Sequence, residues 1–268
     1  MKIDRVILTL TANPLYTAYW NFVSEVWRTK YDILPTLIFY GSEKELEDCR
    51  LSAQFGEIHR LHRVDSVTVD RQQEWACTWA LFYGATLFPQ DLCMLSGIDQ
   101  VPLNGAFFDS FRTNEVRSKY TVGLADAYYP NPSDPRATFP SSHHVATGTK
   151  FKEVFGLNGS WDEEVVKVFN RRNDFKTSNV FWGLDEEYSS DILRRRALSP
   201  HTDVVLMRFF WEHLNPNRLY RGKDKLATFD WEGIRAGRYS EWHGDRPFDP
   251  QSQHVAKLKE AIPVYKWQ

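Results

Sequence analysis

No Gly-X-Gly-X-X-Gly turn and no Gly-X-X-X-X-Gly-Lys-Ser/Thr loop occurs anywhere in the 268 residues. Their absence removes the usual phosphate cradles of dinucleotide oxidoreductases and P-loop kinases. Cysteine is scarce, and Cys49, Cys77 and Cys93 are widely spaced and odd in number. That pattern suits neither a disulfide framework nor a zinc cluster and reads as buried thiols. No run approaches the roughly 20 apolar residues that span a bilayer, and no basic stretch followed by a long apolar one opens the chain. The expectation is a cytoplasmic protein with no transmembrane segment. Net charge is only −2, from 33 Lys and Arg against 35 Asp and Glu, so nothing global draws nucleic acid. Repeats and low-complexity segments are missing too.

Aromatic residues, by contrast, are abundant at 15%, with ten Trp, most of them expected in a core. The order of elements points to an α/β protein. Arg5–Thr11 is β-branched and strand-like, and Asn13-Pro14 supplies an N-cap followed by a first-turn proline. The apolar spacing of Leu15, Tyr19, Val23 and Val26 then predicts a helix to about Thr29. A second strand is expected over Leu34–Tyr40, followed by a helix opened by the capping-box sequence Ser42-Glu43-Lys44-Glu45. A third strand over Glu57–Leu61 precedes a helix capped at Asp70 that carries Trp75, Trp79, Phe82 and Tyr83 and stops near Phe88-Pro89. Strand-then-helix units in succession predict a mainly parallel central sheet flanked by helices, because parallel neighbours need crossovers.

Leu92–Ile98 is the next strand, an apolar run broken by Ser96-Gly97 and followed by Asp99. It delivers a carboxylate to the sheet rim, where ligands of open α/β sheets bind; taken alone, an Asp in that place is commonly a turn residue. Beyond it the expected elements are a strand at Tyr120–Ala125, a proline-rich loop at Tyr128–Pro140, a strand-like Ser141–Thr149, a helix at Trp161–Phe169, a strand at Val204–Met207 and a last helix near Gln251–Ile262. His143 and His144, adjacent on a strand, should point to opposite faces, so one at most faces a given site. Trp182-Gly183-Leu184-Asp185-Glu186-Glu187 opens a helix that ends in Arg194-Arg195-Arg196, an arrangement the helix dipole favours whether or not the acids also do chemistry. His243-Gly244-Asp245-Arg246-Pro247-Phe248 combines a metal-capable imidazole, a glycine that allows close backbone approach and a planar donor suited to phosphate.

The apolar strand with Asp99, the Trp182–Tyr188 stretch and the Trp242–Phe248 stretch resemble, in the same order, motifs of GT-A nucleotide-sugar glycosyltransferases. Gly97-Ile98-Asp99 is similar to their Asp-X-Asp signature with the first acid replaced. The tail resembles the His-X-X-Gly-X-X-Lys-Pro-Trp element of glycogenin-like members, compressed and with Arg246 for Lys. Val23–Trp27 and Pro35–Ile38 look like segments of small virus- or bacterium-encoded members.

The resemblance implies a single GT-A-like domain over 1–268, with a nucleotide-binding half at 1–100 and an acceptor-binding half at 101–268. It implies transfer of a sugar from a nucleotide-diphosphate sugar to a glycan or glycoconjugate. A divalent metal, Mn2+ or Mg2+, would sit on Asp99 and His243, weakened by Gly97. Thr9, Leu10, Thr11, Arg71, Gln72, Asp99 and Arg246 would hold the donor, and His143, His144 and Trp182 the acceptor. Asp185 is the first choice for the base that takes the acceptor proton and Glu186 the second. The rival expectation is an inactive or metal-independent relative that only binds sugar nucleotide or glycan.

Overall fold

The structure is a computed structural model that describes residues 2–67, 73–105, 108, 111, 117–129, 131–134, 136–175, 183–199, 202–207, 218–219, 230–244, 246 and 248–267. Among these, seven strands form the main sheet in the order β3-β2-β1-β4-β7-β6-β8. They are β1 Arg5–Leu10, β2 Leu34–Tyr40, β3 Glu57–Leu61, β4 Leu92–Leu95, β6 Tyr120–Val122, β7 His144–Thr147 and β8 Val204–Leu206. Pairing is parallel except where β7 lies antiparallel to β4 and β6. The mainly parallel α/β architecture expected from the sequence is therefore present. A small second sheet joins β5, Gln100–Pro102, to β10, Glu241–His243, antiparallel, with β9, Arg218–Leu219, on the far side of β10.

Alternation along the parallel strands builds two cores, one on each face of the sheet. Val6 and Leu8 of β1, Leu37 and Phe39 of β2 and Leu92 and Met94 of β4 face one cluster. Ile7, Ile38, Tyr40, Cys93 and Leu95 face the other. The first cluster is roofed by helix α2, Tyr19–Tyr31, and by the Gln253–Ala261 helix. The second is roofed by helix α4, Gln73–Thr86, and by helices at Gly148–Phe155, Trp161–Asn170 and Leu184–Ala197. Arg5, buried at the start of β1, answers its burial with Thr36, Glu57 and Asp91, and its guanidinium lies 3.7 Å from the Phe88 ring centre.

Several local expectations need adjustment. The first helix is two pieces, α1 at Pro14–Thr17 and then α2, with Asn13 capping the Leu15 N–H and Ala18 between them. α2 runs on to Tyr31 and stops at Asp32, whose φ of 51° is left-handed. β4 ends at Leu95 rather than Ile98, because Gly97–Gln100 is a turn closed by the Gln100 N–H on the Gly97 carbonyl. Helix α3, Glu43–Cys49, has the expected capping box with both Ser42 and Glu45 in place. Of the three thiols only Cys93 is buried; Cys49 and Cys77 are half-buried, and no two of the three are joined in a disulfide. The Asp70 cap lies outside the described residues. No helix of the described residues is long and apolar enough to cross a membrane.

Trp79 is a principal support of the second core. Its fully buried ring meets Phe155 and Tyr188 edge-on, with ring centres 5.9 and 5.2 Å away, while its indole N–H has no hydrogen-bond acceptor among the described residues. Trp79→Ala is expected to cost about 3–5 kcal/mol in urea unfolding. Trp79→Phe should cost clearly less, because it keeps most of the ring and removes the buried donor.

Candidate functional site

The chain steps from β1 outward through β2 to β3 and returns to place β4 on the other side of β1. The carboxyl ends of β1 and β4 therefore diverge, and a crevice opens between them, as expected where strand order reverses. This crevice encloses about 190 Å3 and is lined by Thr9, Leu10 and Thr11 from β1 and its end, Asn13 and Tyr16 from the start of α1, Cys77, Thr78 and Leu81 from α4, Gly97 and Ile98 after β4, and Arg246 from the tail. Thr9, Leu10, Thr11 and Arg246, expected at the donor, are thus brought together. Arg71, Gln72 and Trp182 lie outside the described residues.

At the rim the tail folds back onto Asp99. The Gly244 N–H donates to the Asp99 carbonyl at 2.8 Å, and His243 pairs with Gln100 in the β5–β10 ladder. Gly244 is the residue that permits this approach, since a Cβ there would stand 2.1 Å from the Tyr19 hydroxyl oxygen. Phe248 anchors the far side, stacked on Tyr19 with centroids 4.2 Å apart and tilted against Phe22 and Trp242.

The Asp99 carboxylate is 5% exposed. Its Oδ2 accepts from Arg246 Nε at 3.0 Å and also from Arg246 Nη2, and His243 Nε2 stands 3.2 Å from the same oxygen. The Arg246 guanidinium carbon in turn lies 4.3 Å from the Tyr16 ring centre. Burial pushes the Asp99 pKa up, but the His243 hydrogen bond and charge and the Arg246 charge outweigh it and hold the group at about 2.

Asp99 and His243, expected to share a divalent metal, are in contact, yet the oxygen they would offer already carries a guanidinium. Position 97, where the resemblance would put a first acid, holds no vacancy either. The Gly97 N–H donates to Gln100 Oε1 at 2.8 Å, and a Cβ on Gly97 would meet the Gln100 side-chain amide at 3.0 Å and Asp99 Oδ1 at 3.2 Å. Among the described residues no group of three or more His, Cys, Asp or Glu is placed to hold a metal ion. The residues present do not fit a divalent cation with Arg246 where it stands.

The acceptor-side candidates divide. His144 is fully enclosed, its Nε2–H donating to the Pro140 carbonyl and its Nδ1 accepting from the Tyr120 hydroxyl, each at 2.6 Å. Burial pulls its pKa down to about 3, so it is neutral. This is a structural histidine, and the acceptor role expected of it is corrected. His143 is not extended at all; its φ is 65°, a sparsely populated conformation for a non-glycine residue. The bend is fixed by its N–H on Leu95 O at 2.7 Å and its carbonyl under the Gly123 N–H at 2.8 Å. Opposite-face alternation therefore does not apply to the pair. The His143 ring bridges Ser142 Oγ and Glu241 Oε2, each at 2.8 Å.

Asp185 and Glu186 open the Leu184–Ala197 helix and share one neighbour, Ser141. Its hydroxyl donates to Asp185, and its N–H donates to Glu186 Oε1 at 3.3 Å, where the Tyr128 hydroxyl also donates at 3.1 Å. Burial, the larger cause, raises the pKa of both acids, and the Asp185 charge raises Glu186 further. Asp185 is 3% exposed, whereas Glu186 is half-buried beside the exposed Tyr128. The order expected for the base is thereby reversed in access.

A polar seam joins the two groups. Glu241 and His243 lie two residues apart on β10 and so share a face; Glu241 holds His143, which holds Ser142, and Ser141 next to it holds the carboxyl pair. Sequence reasoning did not single out Gln100, Glu241, Ser141, Tyr128, Tyr16 or the Cys77, Thr78, Leu81 face of α4. Glu241 was open to inference from its i, i+2 relation to His243, and the α4 residues from helical spacing. Gln100 carried no signal.

No protein-family model matches the chain, and no curated protein matches it in sequence. Among solved structures it is similar to the glycosyltransferase GlyE of Streptococcus pneumoniae TIGR4, at 11% identity and a TM-score of 0.48 over 98% of this chain and 61% of that one. The chain thus spans about three fifths of the length of GlyE. It is also similar to the galactosyltransferase LgtC in complex with donor and acceptor sugar analogues, at 11% identity and a TM-score of 0.48 over 98% of this chain and 97% of that one.

The two carboxyl environments give opposite pH dependences. A depressed Asp99 pKa contributes stability that is present above the ordinary carboxyl range and lost as pH falls toward about 2, a contribution of about 2 kcal/mol. The raised Asp185–Glu186 pair contributes stability that is present at acid pH and lost as pH rises through its elevated pKa values. In thermal melts, Asp99→Asn should flatten the acid limb. Glu186→Gln should flatten the decline between the ordinary carboxyl range and about pH 8 and leave the more acid limb unchanged.

Proposed function

We propose that the chain is a glycosyltransferase of the GT-A type that moves a sugar, of the hexosyl class, from a nucleotide-diphosphate sugar to the hydroxyl of a glycan or glycoconjugate. In this reading 1–100 carries the nucleotide and 101–268 the acceptor. The observation that supports it is the crevice at the β1–β4 reversal, lined by apolar Leu10, Leu81 and Ile98, by polar Thr9, Thr11 and Asn13, and by the cationic Arg246. That is the lining a nucleoside diphosphate requires: apolar and polar groups for a flat base and ribose, a cation for two phosphates.

Transfer breaks the bond between the anomeric carbon and the diphosphate oxygen and forms one from that carbon to the acceptor oxygen. Negative charge grows on the leaving diphosphate, where Arg246, braced by Asp99 and Tyr16, would oppose it. The acceptor hydroxyl proton needs a base within hydrogen-bond reach. We assign that role to Glu186, the accessible member of the pair, with Asp185 and Ser141 holding it in place. The shared-neighbour arrangement lets a proton reside on the pair, since two carboxylates this close resist joint ionisation.

Uridine and guanosine diphosphates are the first ligands to try, by the thermal shift they produce on binding only the native state. A shift with one base and not the other is the expected outcome, and no shift with any nucleoside diphosphate would contradict the reading. Once the donor is known, Glu186→Gln should keep donor binding within about twofold and lower the rate of diphosphate release by 10²-fold or more, in line with roughly 10²–10⁴ for loss of a general base. Asp185→Asn should produce a smaller fall. Wild-type turnover by Glu186→Gln would remove it from the chemistry.

A further inference from the structure

We infer that the cation serving the donor's diphosphate in this protein is the Arg246 guanidinium seated on Asp99, in the place a divalent metal ion would take. This rests on the transferase reading above. Asp99 is the carboxylate the resemblance offers to a metal, and Arg246 already holds its Oδ2 with two N–H groups while His243 approaches the same atom. Where the resemblance would put a second carboxylate stands Gly97, whose N–H is bonded to the Gln100 side-chain amide at 2.8 Å and whose side-chain space that amide borders.

Arg246 is also built to act as the cation itself. Its planar fork is aligned by Asp99 on one edge and by the Tyr16 ring, 4.3 Å away, on one face, and it borders the crevice. A guanidinium carries five N–H donors and remains charged at every pH of interest. The two spent on Asp99 fix its position and leave others for phosphate oxygens, with which guanidinium geometry is matched. A dication entering beside it would meet a like charge in a poorly screened site.

The test is calorimetric titration of the full chain with UDP and with GDP, once in EDTA and once in manganese chloride. The inference expects the better of the two ligands to bind with the same Kd in both buffers, within about twofold. It expects Arg246→Ala to weaken that binding about tenfold or more in both, as loss of a charge-assisted contact does. Arg246→Gln, which keeps the side-chain length, serves as the second variant should Arg246→Ala unfold, and the same loss is expected of it. Binding that appears only with manganese overturns the inference and leaves the transferase reading intact. Wild-type affinity of either Arg246 variant in EDTA overturns it as well. Binding of neither nucleotide in either buffer overturns the transferase reading and the inference together.

Discussion

A buried carboxylate at the end of a parallel strand has to be neutralised, and in this protein the answer to Asp99 comes from 147 residues further along the chain. Arg246 and His243 reach it only because the tail turns back on itself. β10 adds to β5, Gly244 slides past the Tyr19 hydroxyl, and Phe248 stacks on Tyr19. Loosening any of these would leave a charge with few partners in a site that water barely enters, a larger cost than the loss of one surface ion pair. The small sheet, the crevice wall and the position of the guanidinium therefore stand or fall with one ionic contact. Asp99 lies in the turn that follows β4 at the sheet rim, so the same contact that completes the fold also equips the crevice.

Around this contact the molecule assigns contrasting fates to its other titratable groups. His144, fully enclosed between Tyr120 and Pro140, is held neutral and braces the sheet. His143, one residue earlier, is bent into a left-handed conformation that strand pairing alone would not produce, and its ring joins Ser142 to Glu241. Such a strained residue persists where its surroundings over-determine it, and here both its backbone groups and both its ring nitrogens are engaged. The result is a run of polar contacts from Glu241 through His143 to Ser142, with the neighbouring Ser141 on the Asp185–Glu186 pair. Separating a depressed carboxyl from a raised pair along one seam gives the site an anion that stays ionised and a couple that can carry a proton.

Much of this was legible in the sequence where local chemistry decides the outcome. β2 and β3 fall at Leu34–Tyr40 and Glu57–Leu61 as expected, and the Ser42 capping box is in place, because β-branched runs and caps report on their own neighbourhood. Thr9, Leu10 and Thr11 could be placed at the crevice because strand ends in an α/β sheet have a known side, whereas Arg246 was placed with them by the resemblance of its motif. What escaped was tertiary. The left-handed turn at His143 depends on Leu95 and Gly123, the neutral state of His144 on its enclosure, and the capping of Gly97 on a side chain three residues ahead. The metal expected on Asp99 and His243 came from the resemblance, and nothing in the sequence announced that Arg246 and His243 would meet on one oxygen of Asp99.

The crevice between β1 and β4 as the nucleotide site is the claim from which the rest follows, and Cys77 offers a direct probe of it. This half-buried thiol lines the crevice from helix α4, whereas the half-buried Cys49 sits at the end of α3, away from it. Alkylation of the two by iodoacetamide, followed by mass spectrometry with and without a large excess of nucleoside diphosphate, compares them within one molecule. The account predicts that the ligand slows modification of Cys77 and leaves Cys49 unchanged. Equal rates at Cys77 with and without a nucleotide known to bind would place the ligand elsewhere and contradict it.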